Sequence, residues 1–419
     1  MSQQKSIGLK QTLALFLPGI FLLGFNIGTG SVTTMAKAGA TYGMTLLWTV
    51  LISCAATYFM ISTYGRYTLV TGETALQAFR KHIHPAVGIF FIVALTIGVC
   101  GSLMGVMGIV ADISYEWSKT FIAGGIKPIY WAALYISLVY FIFWDGRTGV
   151  FERALAVMVA IMGLSFVLNF FLLMPPPMEM LRGLIPTIPN VADASGQGSF
   201  LLIASMVGTT LFSGLFIIRT TLVKEAGWQI EQEAQQRRDA LFATVMMFVI
   251  SAAIMAAAAG TLYAEGVGLE VPAQMITLLE PIAGPFAVTI FAIGIIAAGV
   301  SSQFPNLVML PWLLCDYQNI DRDMTKPSYR IMVLFLSLLG LVVPLFEARP
   351  VVVLILSQAF NVVLLPVTVA CILYLGNQSD LMGKYKNSLI TNIILGAIFL
   401  FSLLIGYMAF QGLMGMLRG

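Results

Sequence analysis

The chain has 419 residues, of which 59% are hydrophobic and only 10% are charged, and its formal net charge is +3. Soluble domains carry about a quarter charged residues, so this composition excludes an ordinary soluble protein. The apolar runs are continuous over about 20 residues and lack the alternation of barrel strands, which predicts membrane-spanning helices. We therefore expect an all-α integral membrane protein.

The apolar runs predict about eleven spans in chain order. They cover residues 11–38, 43–68, 86–113, 125–144, 152–174, 196–225, 239–264, 284–314, 329–346, 351–375 and 388–415. Most Lys and Arg residues fall in connections on the same side as the N-terminus, and the positive-inside rule makes that side cytoplasmic. We expect a single domain in a bacterial inner membrane, with the N-terminus in the cytoplasm and the C-terminus outside.

Small residues interrupt the first span at 28–31 and the sixth span at 208–214. Five spans separate these positions, so the two halves of the chain face opposite ways in the membrane. Paired breaks at corresponding positions predict an inverted repeat with a substrate site between the breaks. Repeat one then covers about 11–174, repeat two about 196–375, and an additional helix about 388–415. The alternative is that the glycines serve only close helix packing.

The two interrupted spans share a short ending, from Thr33 to Gly39 and from Thr220 to Gly227. Each ending places a Lys in the last predicted turn and a Gly just after it, as is typical of a helix C-terminus. We therefore predict that the helix ends just before Gly39 in the first span and just before Gly227 in the sixth.

The chain lacks the residue patterns of enzymes and of resident metal sites. The four cysteines are scattered singly in apolar runs, and the sequence contains no Ser-His-Asp, Cys-His, paired-carboxylate or phosphate-loop arrangement. We expect neither an enzyme nor a cofactor nor a nucleic-acid partner. The expected partners are a small-molecule or ion substrate and the lipid bilayer, and the oligomeric state is left open.

Three apolar stretches carry a resemblance to a known family. They are "AGATYGMTLLW" from Ala38 to Trp48, "GVSSQF" from Gly299 to Phe304 and "LILSQAF" from Leu354 to Phe360. In this order and at this spacing the chain resembles the NRAMP transporters, which are proton-coupled importers of divalent transition metals. The resemblance runs along most of the chain. It implies a five-plus-five inverted repeat of the leucine-transporter type, with broken helices 1 and 6, one additional helix and alternating access.

The chain departs from the family at its functional motifs. The family's Asp-Pro-Gly-Asn falls on Gly28, Thr29, Gly30 and Ser31, its Met-Pro-His on Phe212, Ser213 and Gly214, and a second His on Arg219. The acids of the family's proton route have no counterpart in residues 95–105, so we expect no intramembrane acid to carry a proton. A glutamine of the family's site is retained as Gln358.

These substitutions predict a site that does not suit a metal. A divalent cation needs carboxylate, imidazole, thioether or several carbonyl ligands, and the charge of Arg219 would repel it. We therefore predict an NRAMP-related secondary transporter of a small anionic or zwitterionic solute, such as a carboxylate, bicarbonate or an amino acid. The candidate substrate-binding residues are Gly28, Thr29, Gly30, Ser31, Thr210, Phe212, Ser213, Gly214, Arg219 and Gln358, with no metal ligand.

In this hypothesis backbone N–H groups at the two breaks face the substrate and Arg219 supplies positive charge. The alternative for Arg219 is a side chain that reaches the edge of the membrane. Two other functions stay open. The chain either transports a divalent cation held by carbonyl groups, like the rest of the family, or is a transport-inactive sensor or assembly partner.

Overall fold

The computed structural model describes residues 26–144, 176–189, 198–274 and 287–418, together with Gly19, Leu22 and Gly24. These residues are nearly all helical and contain no strand. The longer helices are α1 (Thr29–Tyr42), α2 (Leu47–Thr71), α3 (Pro85–Ser118), α4 (Pro128–Trp144), α5 (Gly198–Thr210), α6 (Ser213–Glu225), α7 (Glu233–Ala258), α8 (Ala287–Gln318), α9 (Pro327–Leu338), α10 (Pro350–Asn361), α11 (Leu365–Asn377) and α12 (Leu389–Arg418).

Eight of the described helical segments are long and apolar enough to cross a membrane, and α4 is apolar but shorter. The prediction of an all-α membrane architecture is confirmed. The segment predicted at 239–264 begins earlier, at Ile230, because a capping pair between Gln229 and Gln232 starts the helix ahead of the apolar run. The predicted span 152–174 and the beginning of 11–38 lie outside the described residues.

Both predicted interruptions are breaks in a helix. The chain leaves the helical conformation at Ile27 and Gly28, and α1 begins at the next residue. The second break covers Leu211 and Phe212, between the end of α5 and the start of α6. The small residues of the sixth span therefore flank the break, and the break itself consists of two large apolar residues.

The broken helices lie at the centre of the molecule. The most apolar window of the α5–α6 segment is 100% buried within the protein, whereas that of α12 is only 33% buried. Nearly every side chain of α1 is buried as well. Around these helices, α3 packs along α8 and α10, while α5 contacts α10 and α12. A helix that is buried on all sides belongs to the interior of a bundle, so the two breaks are shielded from lipid.

The prediction that α1 ends before Gly39 is wrong. The helix continues to Tyr42, and the glycine in the left-handed conformation that follows it is Gly43, with φ of 57°. Gly39 instead allows α7 to approach, because a Cβ atom there would lie 2.3 Å from the carbonyl oxygen of Met255. Gly227 does follow the end of α6, with φ of 65°, so the two similar endings are not structurally equivalent.

We predict that Gly39→Ala destabilises the protein because its methyl group collides with the backbone of α7. The matched control is Gly406→Ala in α12, where a Cβ atom meets nothing within 4 Å. The control is expected to be neutral or to stabilise by about 0.5–1 kcal/mol, since alanine favours a helix over glycine. Thermal unfolding of the detergent-solubilised variants measures the difference. Equal melting temperatures for the two variants would contradict the close contact at Gly39.

Candidate functional site

A cavity with a volume of about 40 Å³ lies between the two breaks. A single water needs about 10–15 Å³ of such space, so the cavity holds only a few water-sized groups. Of the candidate residues, five line it, namely Gly28, Gly30, Ser31, Phe212 and Gln358. It is also lined by polar residues that the sequence analysis did not select, namely Asn26, Ser102, Thr209, Ser302, Asn306 and Asn361.

Four other candidates lie beside the breaks without lining the cavity. The hydroxyl of Thr29 lies on the side of α8, where a Cβ atom on Gly299 would approach it to 3.1 Å. The hydroxyl of Thr210 donates to a carbonyl one turn earlier in α5, and that of Ser213 accepts a hydrogen bond from α11. Gly214 makes room for Met309. Ser213 and Gly214 thus join α6 to α11 and α8, whereas the Thr210 hydroxyl bonds within its own helix.

On the wall formed by Asn26, α1 and α5, the hydroxyl protons and one amide proton are directed into the protein. The Ser31 hydroxyl donates to the carbonyl oxygen of Asn26 at 2.6 Å and lies 2.8 Å from the Thr209 hydroxyl. A hydroxyl has one proton, so Thr209 is the donor to Ser31. The amide nitrogen of Asn26 donates to the Thr210 carbonyl at 3.1 Å. The side-chain oxygens of Asn26 and Thr209 are therefore left as acceptors.

The opposite wall, formed by α3 and α10, contains a hydrogen-bond chain with a fixed direction. Asn361 donates to Gln358 at 3.3 Å, Gln358 donates to Ser102 at 3.4 Å, and the Ser102 and Ser357 hydroxyls lie 3.0 Å apart. Ser357 gives its proton to the Gly98 carbonyl at 2.8 Å, so Ser102 is the donor to Ser357. At the start of this chain the buried Oδ1 atom of Asn361 has no donor among the described residues.

The third wall belongs to α8, and its side chains also donate to carbonyl oxygens of the protein. The amide nitrogen of Asn306 donates to the Ser302 carbonyl at 2.9 Å, and the Ser302 hydroxyl donates to the Ala298 carbonyl at 2.9 Å. None of the described residues that line the cavity is charged. The described part of the chain also brings together no group of three His, Cys, Asp or Glu side chains. The cavity therefore offers neutral oxygen atoms, most of them as acceptors.

Comparison with known proteins establishes the family. The model of the natural resistance-associated macrophage protein-like family matches residues 20–411. The chain belongs to the NRAMP family. A divalent metal cation transporter MntH from Klebsiella pneumoniae (strain 342) is 24% identical over 386 residues, covering 90% of this chain and 89% of the relative. MntH from Staphylococcus saprophyticus is 21% identical over 407 residues, covering 92% and 89%.

Solved structures show the same fold for this NRAMP chain. A manganese transporter from Eremococcus coleocola superposes with a TM-score of 0.75 at 16% identity, covering 100% of this chain and 97% of the other. MhsT, solved in complex with L-phenylalanine, superposes with a TM-score of 0.63 at 15% identity, covering 96% and 98%. Identities this low support conclusions about the fold alone. The leucine-transporter-type architecture is thereby confirmed.

In this NRAMP chain Arg219 does not line the cavity. It lies six residues into α6, about 9 Å along the helix from its first residue. Its Nη1 atom donates to Asp239 at 2.5 Å and its Nη2 atom to the Gln236 carbonyl at 3.2 Å. The side chains of Arg219 and Asp239 are both 0% exposed. The positive charge is therefore paired inside the protein, and Arg219 does not extend to the edge of the membrane.

Asp239, the partner of Arg219, is a fully buried acid. It lies in α7, inside the candidate span Ile230–Tyr263, and accepts a hydrogen bond from the backbone N–H of Gly19 at 2.9 Å. Its carboxylate thus connects α6 and α7 to the helical segment that precedes the first break. Because Asp239 stands at the first residue of the predicted span 239–264, the apolar pattern gave no sign of its burial.

For two of the cavity-lining residues that were not among the candidates, the spacing in the sequence indicates their position. Asn306 follows Ser302 by four residues in α8, and Asn361 follows Gln358 by three residues in α10. Side chains at these intervals share one face of a helix. Once Gln358 was assigned to the site, Asn361 was the next residue on the same face. Ser102 falls within 95–105, a stretch considered only for its missing acids.

We predict that Arg219→Met destabilises the protein by about 3–5 kcal/mol, because it leaves Asp239 buried without its counter-charge. The double variant Arg219→Met/Asp239→Asn is expected to recover most of the loss, since the asparagine side chain is neutral and can still accept from Gly19. Unfolding in detergent by heat or denaturant measures both changes. Equal stabilities of the single and double variants would contradict the pairing.

Proposed function

We propose that this NRAMP chain is a secondary transporter of a divalent metal cation, which neutral oxygen atoms bind while it keeps part of its water shell. Family membership supports the transport function, and the relatives named above are divalent metal cation transporters. The proposal extends that substrate class to a site whose ligands differ from those that the family resemblance implies. The chain would act within a membrane, as its apolar helices indicate.

The direction of the hydrogen bonds in the cavity is the observation that carries this proposal. On each wall the hydroxyl protons and one proton of each amide are given to carbonyl or hydroxyl oxygens of the protein, as described for Asn26, Thr209, Ser302 and Asn306. A ligand in the cavity therefore meets side-chain oxygens as acceptors. Oxygen acceptors favour a cation or the protons of its bound waters over an anion.

The oxygen donors also indicate which cations fit. The described residues that line the cavity provide hydroxyl and amide oxygens, with neither sulfur nor imidazole among them. Hard cations such as Mg²⁺, Ca²⁺ and Mn²⁺ prefer oxygen ligands, whereas softer metals favour sulfur and nitrogen. Because neutral oxygens do not balance the charge of the ion, we expect it to be bound less tightly than by a carboxylate.

A small anion is the second candidate substrate. It is favoured by the first turns of α1 and α6, which start without a capping side chain and leave backbone N–H groups unpaired at the breaks. The anion hypothesis has, however, lost its source of charge, because Arg219 is paired with Asp239.

The sign of the substrate's charge can be tested by Asn306→Asp, which adds a negative charge to the cavity with little change in shape. We expect the affinity of the purified protein for Mn²⁺ to increase at least about tenfold, since one carboxylate near a divalent ion contributes more than about 1.4 kcal/mol even when screened. Calorimetric titration with Mn²⁺, Mg²⁺ and Ca²⁺ and uptake into proteoliposomes are the measurements.

The matched control is Asn377→Asp. Asn377 donates to the Leu373 carbonyl one turn earlier at 2.7 Å, as Asn306 does to Ser302, but its side chain is exposed at the end of α11. This control should leave the Mn²⁺ affinity unchanged. A loss of cation binding in Asn306→Asp, or parent protein that takes up bicarbonate or formate but no cation, would contradict the proposal. Uptake of any substrate argues against a transport-inactive sensor.

A further inference from the structure

The glycine at position 28 is required by a contact and not by its backbone conformation. Gly28 precedes the first residue of α1, with φ of −103° and ψ of −172°, an extended conformation that any residue adopts. At this position before a helix Ser, Thr, Asp and Asn are preferred, because their side chains accept a hydrogen bond from the first turn. Glycine is tolerated at this position but provides no such bond, so local preferences do not require glycine at position 28.

The contact that requires glycine comes from α8. A Cβ atom on Gly28 would lie 2.4 Å from the Cβ atom of Ser302 and 2.7 Å from its Oγ atom. The Ser302 Cβ atom is attached directly to the helix backbone, so it cannot move aside as the end of a long side chain does. One turn earlier, Gly299 packs against Thr29. The face of α8 that carries Gly299 and Ser302 thus lies against the first break.

The Ser302 hydroxyl is held as an acceptor toward the cavity that it lines. Its proton is directed at the carbonyl oxygens of Ala298 at 2.9 Å and Gly299 at 3.1 Å, and its side chain is 4% exposed. This oxygen therefore stands where the side chain of any larger residue at position 28 would begin. It is uncharged, and its position is fixed by the α8 backbone.

We propose that Ser302 is a specificity-determining residue that keeps a carboxylate out of the first break and provides a neutral oxygen in its place. The proposal rests on the proposed cation transport and narrows its substrate class. A cation held without a carboxylate keeps more of its water, which favours hard, strongly hydrated ions. Gly28 and Ser302 are coupled, because a side chain at position 28 requires the loss of the side chain at position 302.

The test is a double-mutant cycle read by calorimetric titration of purified protein with Mn²⁺ and by thermal unfolding. Gly28→Asp alone is expected to lower the melting temperature without increasing the affinity for Mn²⁺, because the collision with Ser302 displaces α1 or α8. Gly28→Asp/Ser302→Gly is expected to bind Mn²⁺ at least about tenfold more tightly than Ser302→Gly alone, since the carboxylate then enters the cavity.

An alanine pair separates the steric effect from the charge effect. Gly28→Ala should lower the melting temperature, and Gly28→Ala/Ser302→Gly should restore it to that of Ser302→Gly, with no increase in Mn²⁺ affinity. If the variants that carry a carboxylate do not fold, this pair still tests whether a side chain at position 28 collides with Ser302. A Gly28→Ala variant as stable as the parent, or a Gly28→Ala/Ser302→Gly variant still less stable than Ser302→Gly, would overturn the proposal.

Two further results would overturn it. One is a Gly28→Asp variant that already binds Mn²⁺ as tightly as the double variant, and the other is a folded double variant that binds no more tightly than Ser302→Gly. The proposed cation transport and the coupling of Gly28 and Ser302 can each fail independently of the other. If the parent and Asn306→Asp bind no Mn²⁺ but the double variant does, the coupling of Gly28 and Ser302 stands and the proposed function is wrong. If Asn306→Asp tightens binding and the double variant does not, only the coupling is wrong.

Discussion

Asn26 joins the two broken helices, and the geometry of the cavity depends on this link. Its amide donates to the Thr210 carbonyl at the end of α5, and the Thr57 hydroxyl of α2 donates to the same oxygen at 3.1 Å. A carbonyl at a helix end has no partner within the helix, and leaving it unpaired in an apolar interior costs about 1–3 kcal/mol. Two side-chain donors on Thr210 thus stabilise the break and hold it beside the first.

The same link begins an ordering of hydroxyl protons along the wall of the cavity. Serine and threonine hydroxyls accept or donate with equal ease, so their presence alone says nothing about the charge of a ligand. The Ser31 proton goes to the Asn26 carbonyl, which commits Thr209 as a donor in turn. A second chain ends on the Gly98 carbonyl. The cavity therefore presents oriented hydrogen-bonding groups although none of its described lining residues is charged.

The parts of this structure that follow from local sequence could be predicted. Span length depends on continuous apolar runs, and the breaks depend on nearby small residues, so both breaks and most described spans follow from the sequence to within a few positions. The exception is the segment that begins early, at Ile230. Arg219 was assigned to the substrate because its partner, Asp239, lies on another helix and no local pattern connects them. Gly39 was assigned to a helix end because the carbonyl that excludes its side chain belongs to Met255 of α7.

The residues of the candidate site also depend on contacts between helices that local sequence does not reveal. Gln358 was found through the family resemblance, and Asn361 follows it on one helical face. Ser302 and Asn306 come from α8, and only the packing of that helix against the first break brings them to the cavity. The direction of a hydrogen bond is harder still to predict from sequence, because it depends on which carbonyl oxygen each proton reaches in the folded protein. The sign of the ligand charge therefore could not be derived from residue types.

Two of the changes at the breaks have an opposing contact on another helix. The charge gained at Arg219 is balanced by Asp239 of α7, and the space left by glycine at position 28 is filled by Ser302 of α8. When the substitutions are considered one at a time, they suggest that the site exchanged a cation for an anion. With their partners included, the cavity has gained no net positive charge from described residues. Under the proposed cation transport, the absence of a carboxylate at position 28 would weaken binding and leave the ion more of its water.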